Sequence, residues 1–370
     1  MRSVAAFTDT YLPTVNGVTY TVQSWRECWE ARGGRMDVVY PDADDYEPDS
    51  GEHPVRSLPL PFYAGFRIGS PRIPDALVDP DIVHAHTPFF LGLAALRLAR
   101  REGIPLVATY HTPAAEYTSY FTDCDRAREW LSVSSQRYER WFFDKADAVI
   151  VPSQRTGSYL TDDLGIDVTP TVVSNGVDVE RFQPTETAAF RERHDLPENR
   201  TLVGYTGRHG HEKSLQDILA ACARLDRELT VVFGGDGPAR EKLEVDAQSL
   251  ELDVRFLGFL DRDELPAFYA SLDAFLFPSP VETQGLVALE SFACGTPVAA
   301  VDSGALSDTV ADGVTGYHYD AGDIAGFAEA IDRTLEEREQ LREGCLAKRE
   351  EVSVGGSVDD LAALYDELEE

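Results

Sequence analysis

The sequence predicts an α/β protein made of two doubly wound domains facing across a cleft. Three observations predict it. Short apolar, β-branched runs alternate with amphipathic stretches along the whole chain, most of the runs are continuously apolar, and the series restarts near residue 200. A strand that is apolar on both sides needs cover on both sides, which is the Rossmann-like parallel sheet of a strand–helix–strand fold. At 370 residues the chain is long for one such domain and comfortable for two of about 150–200 residues each.

The first series places strands at Val4–Phe7, Met36–Tyr40, Ile82–His84, Leu106–Thr109, Ala148–Val151 and Thr171–Val173, with helices over 18–32, 89–102 and 154–164. The acidic loop Asp42–Glu52 reads as solvated surface. After the polar, proline-containing segment Arg181–Arg200, a second series follows: Leu202–Tyr205, Thr230–Phe233, Val254–Phe256, Ala274–Phe277 and Val298–Val301, with helices over 214–226, 238–250 and 284–294. Residues 323–350 are strongly helical, Ser353–Gly356 reads as a break, and a short helix is expected at 358–369. The expected domains are therefore 1–180 and 181–352, with 353–370 crossing back to the first.

Acidic residues outnumber basic ones by 65 to 33, a net charge of −32, yet 43% of the chain is hydrophobic with 18 Phe, 15 Tyr and 4 Trp. Charge without apolar poverty does not make a disordered chain. A surface that repels phosphate argues against nucleic acid as a partner. Only four of the basic residues are lysines, at 145, 213, 242 and 348. An acidic surface stripped of lysine fits life in molar salt, where screening over a few ångströms makes self-repulsion cheap. A halophilic, archaeal source is the expectation, and an ordinary acidic enzyme the alternative.

The five cysteines (28, 124, 222, 294, 345) are scattered and form no CxxC pair, so neither a disulfide framework nor a cysteine zinc site is expected. The start, MRSVAAFTDTYLPT, reads as a buried strand and not as a signal peptide. No run reaches the roughly 18 apolar residues of a membrane span. A cytoplasmic protein follows, with any membrane role peripheral, at the inner face of the cell membrane.

In doubly wound sheets, ligands gather at the carboxyl ends of strands. The strongest segment there is Pro278-Ser-Pro-Val-Glu282-Thr-Gln284-Gly285-Leu286-Val-Ala-Leu-Glu290-Ser-Phe-Ala-Cys-Gly-Thr-Pro297. It follows one predicted strand and opens a helix at Gly285. Free amides and the positive dipole end at a helix start hold an anion or sugar hydroxyls. A carboxylate accepts hydrogen bonds from vicinal hydroxyls, as on a hexose or ribose. The plain alternative is that Glu282 caps the helix and Glu290 is a surface charge. Two carboxylates also admit the acid–base pair of a glycosidase.

Other candidates follow other strands. Gly17 stands at a predicted helix start, where the missing Cβ lets backbone approach a diphosphate; an ordinary turn glycine is the alternative. Arg208 and Lys213 are two cations able to neutralise a diphosphate leaving group, or a surface pair. Gly234–Gly237 allows a base and ribose to sit near backbone. His84 and His86 share one strand face by the period of two, which suggests a metal, but no cysteine or third histidine nearby in sequence completes a site. His111 follows the strand Leu106–Thr109 and has a core histidine as its alternative. Three Asp-x-Asp strings, at 42–44, 123–125 and 261–263, carry no information in so acidic a chain.

The Glu282–Glu290 string resembles the Glu-x7-Glu signature of glycosyltransferase family 4. The likeness extends over essentially the whole chain, through Phe7-Thr-Asp-Thr-Tyr-Leu-Pro-Thr-Val-Asn16-Gly17-Val18, His84-Ala-His86-Thr-Pro88, Thr109-Tyr-His111-Thr-Pro113, Ser174-Asn-Gly-Val-Asp178, Gly204-Tyr-Thr-Gly207-Arg208-His-Gly-His-Glu212-Lys213 and Gly234-Gly235-Asp-Gly237-Pro238. The resemblance implies the GT-B fold and a retaining hexosyltransferase that uses a nucleotide-sugar and requires no metal or other cofactor. It implies catalytic roles for His111, Arg208, Lys213 and Glu282. Gly17, Gly235 and the Gln284–Gly285–Leu286 backbone would bind the donor, with Glu290 on its ribose. Asn16, His84, His86 and Tyr117 would lie on the acceptor side. Gln284 stands where the family more often has Phe. UDP and GDP donors both stay open.

The strings FTDTYLPTVNGV, HAHTPFFLG and TYHTP look most like the branch that glycosylates diacylglycerol-type lipids, which in an archaeon implies an archaeol-type acceptor. A polyprenyl-linked glycan is the second reading and a soluble acceptor the third. A GT-B epimerase and a glycoside hydrolase are the readings outside the transferases. Finally, 125–145 mixes Arg126, Arg128, Arg137, Arg140 and Lys145 with Trp130, Tyr138, Trp141, Phe142 and Phe143. Such a stretch suits an anionic bilayer surface, or a helix whose aromatics pack on the sheet while its arginines pair with acids.

Overall fold

Continuous apolar runs become the central strands of two parallel sheets. The structure, a computed structural model, describes residues 1–60, 67–111 and 125–368, with side chains of the helix that starts at Asp125 described from Glu129 onward. The chain forms two compact units, residues 1–175 with 354–370, and residues 176–353.

In the first unit the strands are β1 (Ser3–Phe7), β2 (Arg35–Pro41), β3 (Glu52–Val55), β4 (Ser57–Pro59), β5 (Arg67–Gly69), β6 (Ile82–Ala85), β7 (Leu106–Thr109), β8 (Ala148–Val151) and β9 (Thr171–Val172). Seven of them form one sheet in the order β3-β2-β1-β6-β7-β8-β9, and β4 and β5 pair as a hairpin. All pairings in the large sheet are parallel. The second unit carries β10 (Thr201–Thr206), β11 (Leu229–Gly234), β12 (Val254–Gly258), β13 (Ala274–Phe277), β14 (Val298–Val301) and β15 (Gly316–Tyr319) in the order β12-β11-β10-β13-β14-β15, again all parallel. Strand order reverses between β1 and β6 in one sheet and between β10 and β13 in the other. At such switch points adjacent loops diverge and leave a crevice.

β3, β4, β5 and β15 are absent from the sequence reading. β3 begins at Glu52, so the Asp42–Glu52 loop is not simply solvated. The Glu52 carboxylate is buried, with Arg26 Nη1 donating to it at 2.8 Å, Tyr11 at 3.0 Å and Tyr46 at 2.8 Å. A carboxylate goes inside when its charge and lone pairs are met, and these partners come from elsewhere in the chain.

The last helix is Val354–Glu367, not 358–369, and it carries Gly355 and Gly356 in its first turn. Two outside contacts compensate their low helix propensity. Arg32 donates to Gly355 O at 2.9 Å, and Tyr365 meets Trp29 edge-on with ring centroids 5.3 Å apart. Val358, Leu361 and Tyr365 join Val4, Trp25, Trp29 and Met36 in one buried cluster. The 154–164 stretch is Gln154–Ser158 continuing as a π-helix over Tyr159–Leu164, and 323–350 is two helices, Ile324–Glu336 and Arg338–Ala347. Among the described residues, no helix is long and apolar enough to cross a membrane.

Candidate functional site

At the switch point of the second sheet, β10 runs into a loop through Arg208 to a short 3-10 turn, His211–Lys213. β13 runs into the loop that carries Glu282. Lys213 Nζ lies 2.7 Å from Glu282 Oε1, and Arg208 Nη1 lies 2.8 Å from Glu212 Oε1. Burial works against the Lys213 ammonium, but the Glu282 carboxylate and the neighbouring Tyr205 and Glu212 outweigh it and hold its pKa above the usual lysine value. Lys213 therefore stays charged throughout the neutral range.

Gly285 takes φ +82 immediately before the helix Leu286–Ala293. A Cβ there would sit 2.7 Å from Leu306 Cδ2 and 3.0 Å from Phe277 Cε1, so both conformation and packing require glycine. Gln284 is buried, and its carbonyl accepts from Thr309 Oγ1 at 2.6 Å. Glu290 is not a surface charge: it is 3% exposed, and its Oε2 accepts from Tyr269 Oη at 2.6 Å. Burial pushes its carboxyl up to about 7, against the pull of that hydrogen bond and of Arg262. Tyr269 was missed from sequence because it lies in a short helix, Leu265–Ser271, without any motif of its own.

Gly235 is held in a close packing of two glycine loops. With φ +98, it lies so close to the other glycine loop that a Cβ would stand 2.0 Å from Gly207 O. Gly207 N donates to Gly234 O at 3.2 Å and His209 N to Asp236 O at 2.9 Å. The place a Cβ would take at Gly235 is filled by backbone of the neighbouring glycine loop.

The first unit presents a different glycine. Gly17 opens the helix Gly17–Ala31, and a Cβ there would meet nothing within 4 Å among the described residues. Asn16 caps this helix, with Oδ1 accepting from Thr19 N at 3.0 Å and Nδ2 donating to Thr10 Oγ1 at 2.7 Å. Its amide is therefore engaged within the chain, as an N-cap commonly is. Asp9, which the sequence reading passed over, caps a neighbouring helix from the loop after β1. It accepts from Leu91 N at 3.1 Å and Thr87 Oγ1 at 2.6 Å, and burial pushes its carboxyl up to about 6.

His84, His86 and His111 form a buried column. The rings of His84 and His86 stack at 4.1 Å, those of His86 and His111 at 5.4 Å, and Trp25 lies beside all three. His84 is fully buried: its Nδ1 meets Tyr365 Oη at 2.7 Å and its Nε2 meets Thr109 Oγ1 at 2.6 Å, so both nitrogens are used inside the core. His86 Nδ1 and His111 Nε2 are 3.1 Å apart. Burial holds His84 and His111 down to about 3 and His86 well below its usual value. The column is therefore neutral. Among the described residues, no group of three His, Cys, Asp or Glu side chains is placed to hold a metal ion.

Tyr117 and the side chains of Arg126 and Arg128 lie outside the described residues. Along the helix Asp125–Phe143, both packing and exposure occur. Phe142 and Phe143 are fully buried, whereas Trp130 is 68% and Trp141 43% exposed. Arg137 is exposed, and Arg140 reaches Asp144 and Asp167 at 3.6 Å each. Tyr138 donates to Pro88 O, which brings the exposed Phe89 and Phe90 beside this helix.

Two doubly wound parallel-sheet units with charged and glycine-bearing loops at their switch points define the GT-B class of glycosyltransferases. Residues 15–181 match the family model described as Glycosyltransferase Family 4, and residues 186–349 the one described as Glycosyl transferases group 1. The chain belongs to glycosyltransferase family 4, as a hexosyltransferase that uses a nucleotide-sugar. It is 30% identical to the alpha-monoglucosyldiacylglycerol synthase of Streptococcus pneumoniae, over 87% of this chain and 76% of that protein. It is 31% identical to a GDP-mannose-dependent alpha-mannosyltransferase of Mycolicibacterium smegmatis, over 94% of this chain and 92% of that one. Its fold is similar to that of Anabaena HepE, solved in complex with UDP and glucose, with a TM-score of 0.77 at 17% identity and full coverage of both chains.

Proposed function

We propose that the chain moves a hexose from UDP- or GDP-hexose to a hydroxyl of a membrane lipid, of the archaeol or diacylglycerol type, with retained configuration. The observation that carries this reading is the meeting of Lys213 and Glu282 at the β10–β13 switch point. In the proposed reaction the acceptor oxygen attacks the anomeric carbon as its bond to phosphate breaks. The acceptor proton passes to the departing phosphate oxygen. Lys213 and Arg208 neutralise the diphosphate as it leaves. Glu282 and the backbone from Gln284 to Leu286 take the hexose, Glu290 takes the ribose hydroxyls, and His111 stabilises the reacting sugar. The open space at Gly17 supports its role beside an anionic ligand.

The lipid acceptor is supported by the pneumococcal relative and by the exposed Trp130 and Trp141 alongside Arg137 and Arg140. A polyprenyl-linked glycan is the alternative acceptor. An incubation with a panel of UDP- and GDP-sugars and total lipid extract in high salt, analysed by mass spectrometry, tests the reading. A lipid product heavier by one hexose is expected. Product in a lipid-free control, or free sugar alone, overturns it. For the membrane face, Arg137→Glu with Arg140→Glu should sharply reduce co-sedimentation with vesicles containing anionic lipid, because each basic residue near such a surface contributes about 1 kcal/mol. Unchanged sedimentation removes the patch from the proposal.

A further inference from the structure

Among the described residues, the histidine column contains a buried nitrogen without a hydrogen-bond partner, His86 Nε2. His86 follows β6 and His111 follows β7, two adjacent strands, and His86 N donates to Phe7 O at 2.8 Å. His86 Nδ1 and His111 Nε2 share a hydrogen bond at 3.1 Å. His86 Nε2 is buried and has no hydrogen-bond partner among the described residues.

That vacancy decides who donates. Both rings are neutral, because burial in this column of His84, His86, His111 and Trp25 disfavours their charged forms. A neutral imidazole carries one N–H, on one nitrogen or the other. If His111 donated from Nε2, then His86 Nδ1 would be the acceptor and its proton would sit on Nε2, a buried N–H with no acceptor among the described residues. If His86 donates from Nδ1, only a bare lone pair is left at Nε2. Orphaned buried N–H groups are the rarer outcome, so the second arrangement prevails. The proton of His111 must then sit on Nδ1.

We propose that His86 is a positioning residue that pins His111 through its Nε2, fixing the imidazole as a neutral hydrogen-bond donor whose N–H is on Nδ1. His111 then meets a sugar oxygen as an N–H donor and not as a cation. The functional half of this inference rests on the proposed role of His111, while the pairing and tautomer do not.

Long-range 1H–15N spectra of the imidazoles, with the signals assigned by loss in His86→Phe and His111→Asn, read the tautomers directly. In the intact protein His111 is expected as the Nδ1–H form, unchanged from pH 5.5 to 8. In His86→Phe, which keeps a ring in the stack, His111 is expected to lose that fixed tautomer. Transfer turnover should fall about tenfold to hundredfold, as a misplaced contact group does, with a smaller change in donor KM. An Nε2–H form of His111 in the intact protein, or a His111 signal indifferent to His86→Phe, overturns the pairing. Normal transfer by His111→Asn with the expected tautomers intact would overturn only the role assigned to His111.

Discussion

Lys213→Ala is expected to lower transfer turnover by about two to three orders of magnitude, the range for removing one preorganised group that stabilises developing charge. The ammonium lies where β10 and β13 diverge, held by Glu282 at 2.7 Å and charged at neutral pH. No other lysine in the chain lies between residues 146 and 241. The substitution also leaves the Glu282 carboxylate without its partner, so a modest fall in melting temperature should accompany the loss of rate. Turnover with nucleotide-sugar donors, measured beside circular dichroism and thermal melts, separates the two effects. Near-normal turnover in a folded variant would refute the assigned role.

Gly235→Ala is expected to destabilise the second unit by about 3 kcal/mol or more. Left-handed backbone alone costs an alanine about 1–2 kcal/mol. The added methyl must further displace Gly207 O, which is backbone and lies 2.0 Å away. In a unit of this size each 1 kcal/mol lowers the melting temperature by about 2–4 °C, so calorimetry should show a drop on the order of 10 °C. Gly17→Ala is the informative contrast. A Cβ there meets nothing within 4 Å among the described residues, and alanine favours a helix more than glycine does. Its melting temperature should hold or rise slightly while transfer slows. Equal melts for the two variants would show that the two glycines do not differ in this way.

These glycines illustrate what could be read from sequence. Strands such as Val4–Phe7, Ala148–Val151 and Ala274–Phe277 announce themselves because each is apolar at every position and needs no distant partner to make it so. β3, by contrast, opens on Glu52 and contains Pro54. It becomes a strand beside β2 because Arg26, Tyr11 and Tyr46 neutralise and hydrogen-bond its carboxylate, which no local pattern encodes. Gly355 and Gly356 read as a break for the same reason in reverse, since Arg32 and Trp29, far away in sequence, hold that helix together. At the site, motif strings name Lys213 and Glu282 separately, but only the sheet order brings their loops to one crevice. Glu290 looks like one more acid in an acidic protein. Its burial against Tyr269 is a property of packing between two helices, and spacing within either helix does not express it.

The contact between Lys213 and Glu282 has a bearing on the solvent. The resting protein supplies its own anion to its own cation. A carboxylate held in place within the same molecule acts at an effective concentration that no dissolved monovalent ion matches, so chloride gains little by competing for that ammonium, even at molar levels. In the proposed role of Lys213, a nucleoside diphosphate, with more than one charge and a ribose and hexose besides, displaces the carboxylate where a simple salt does not. On the proposed role of Lys213, the contact is a filter: it keeps the cation closed to simple salt and open to the polyvalent donor that carries the sugar.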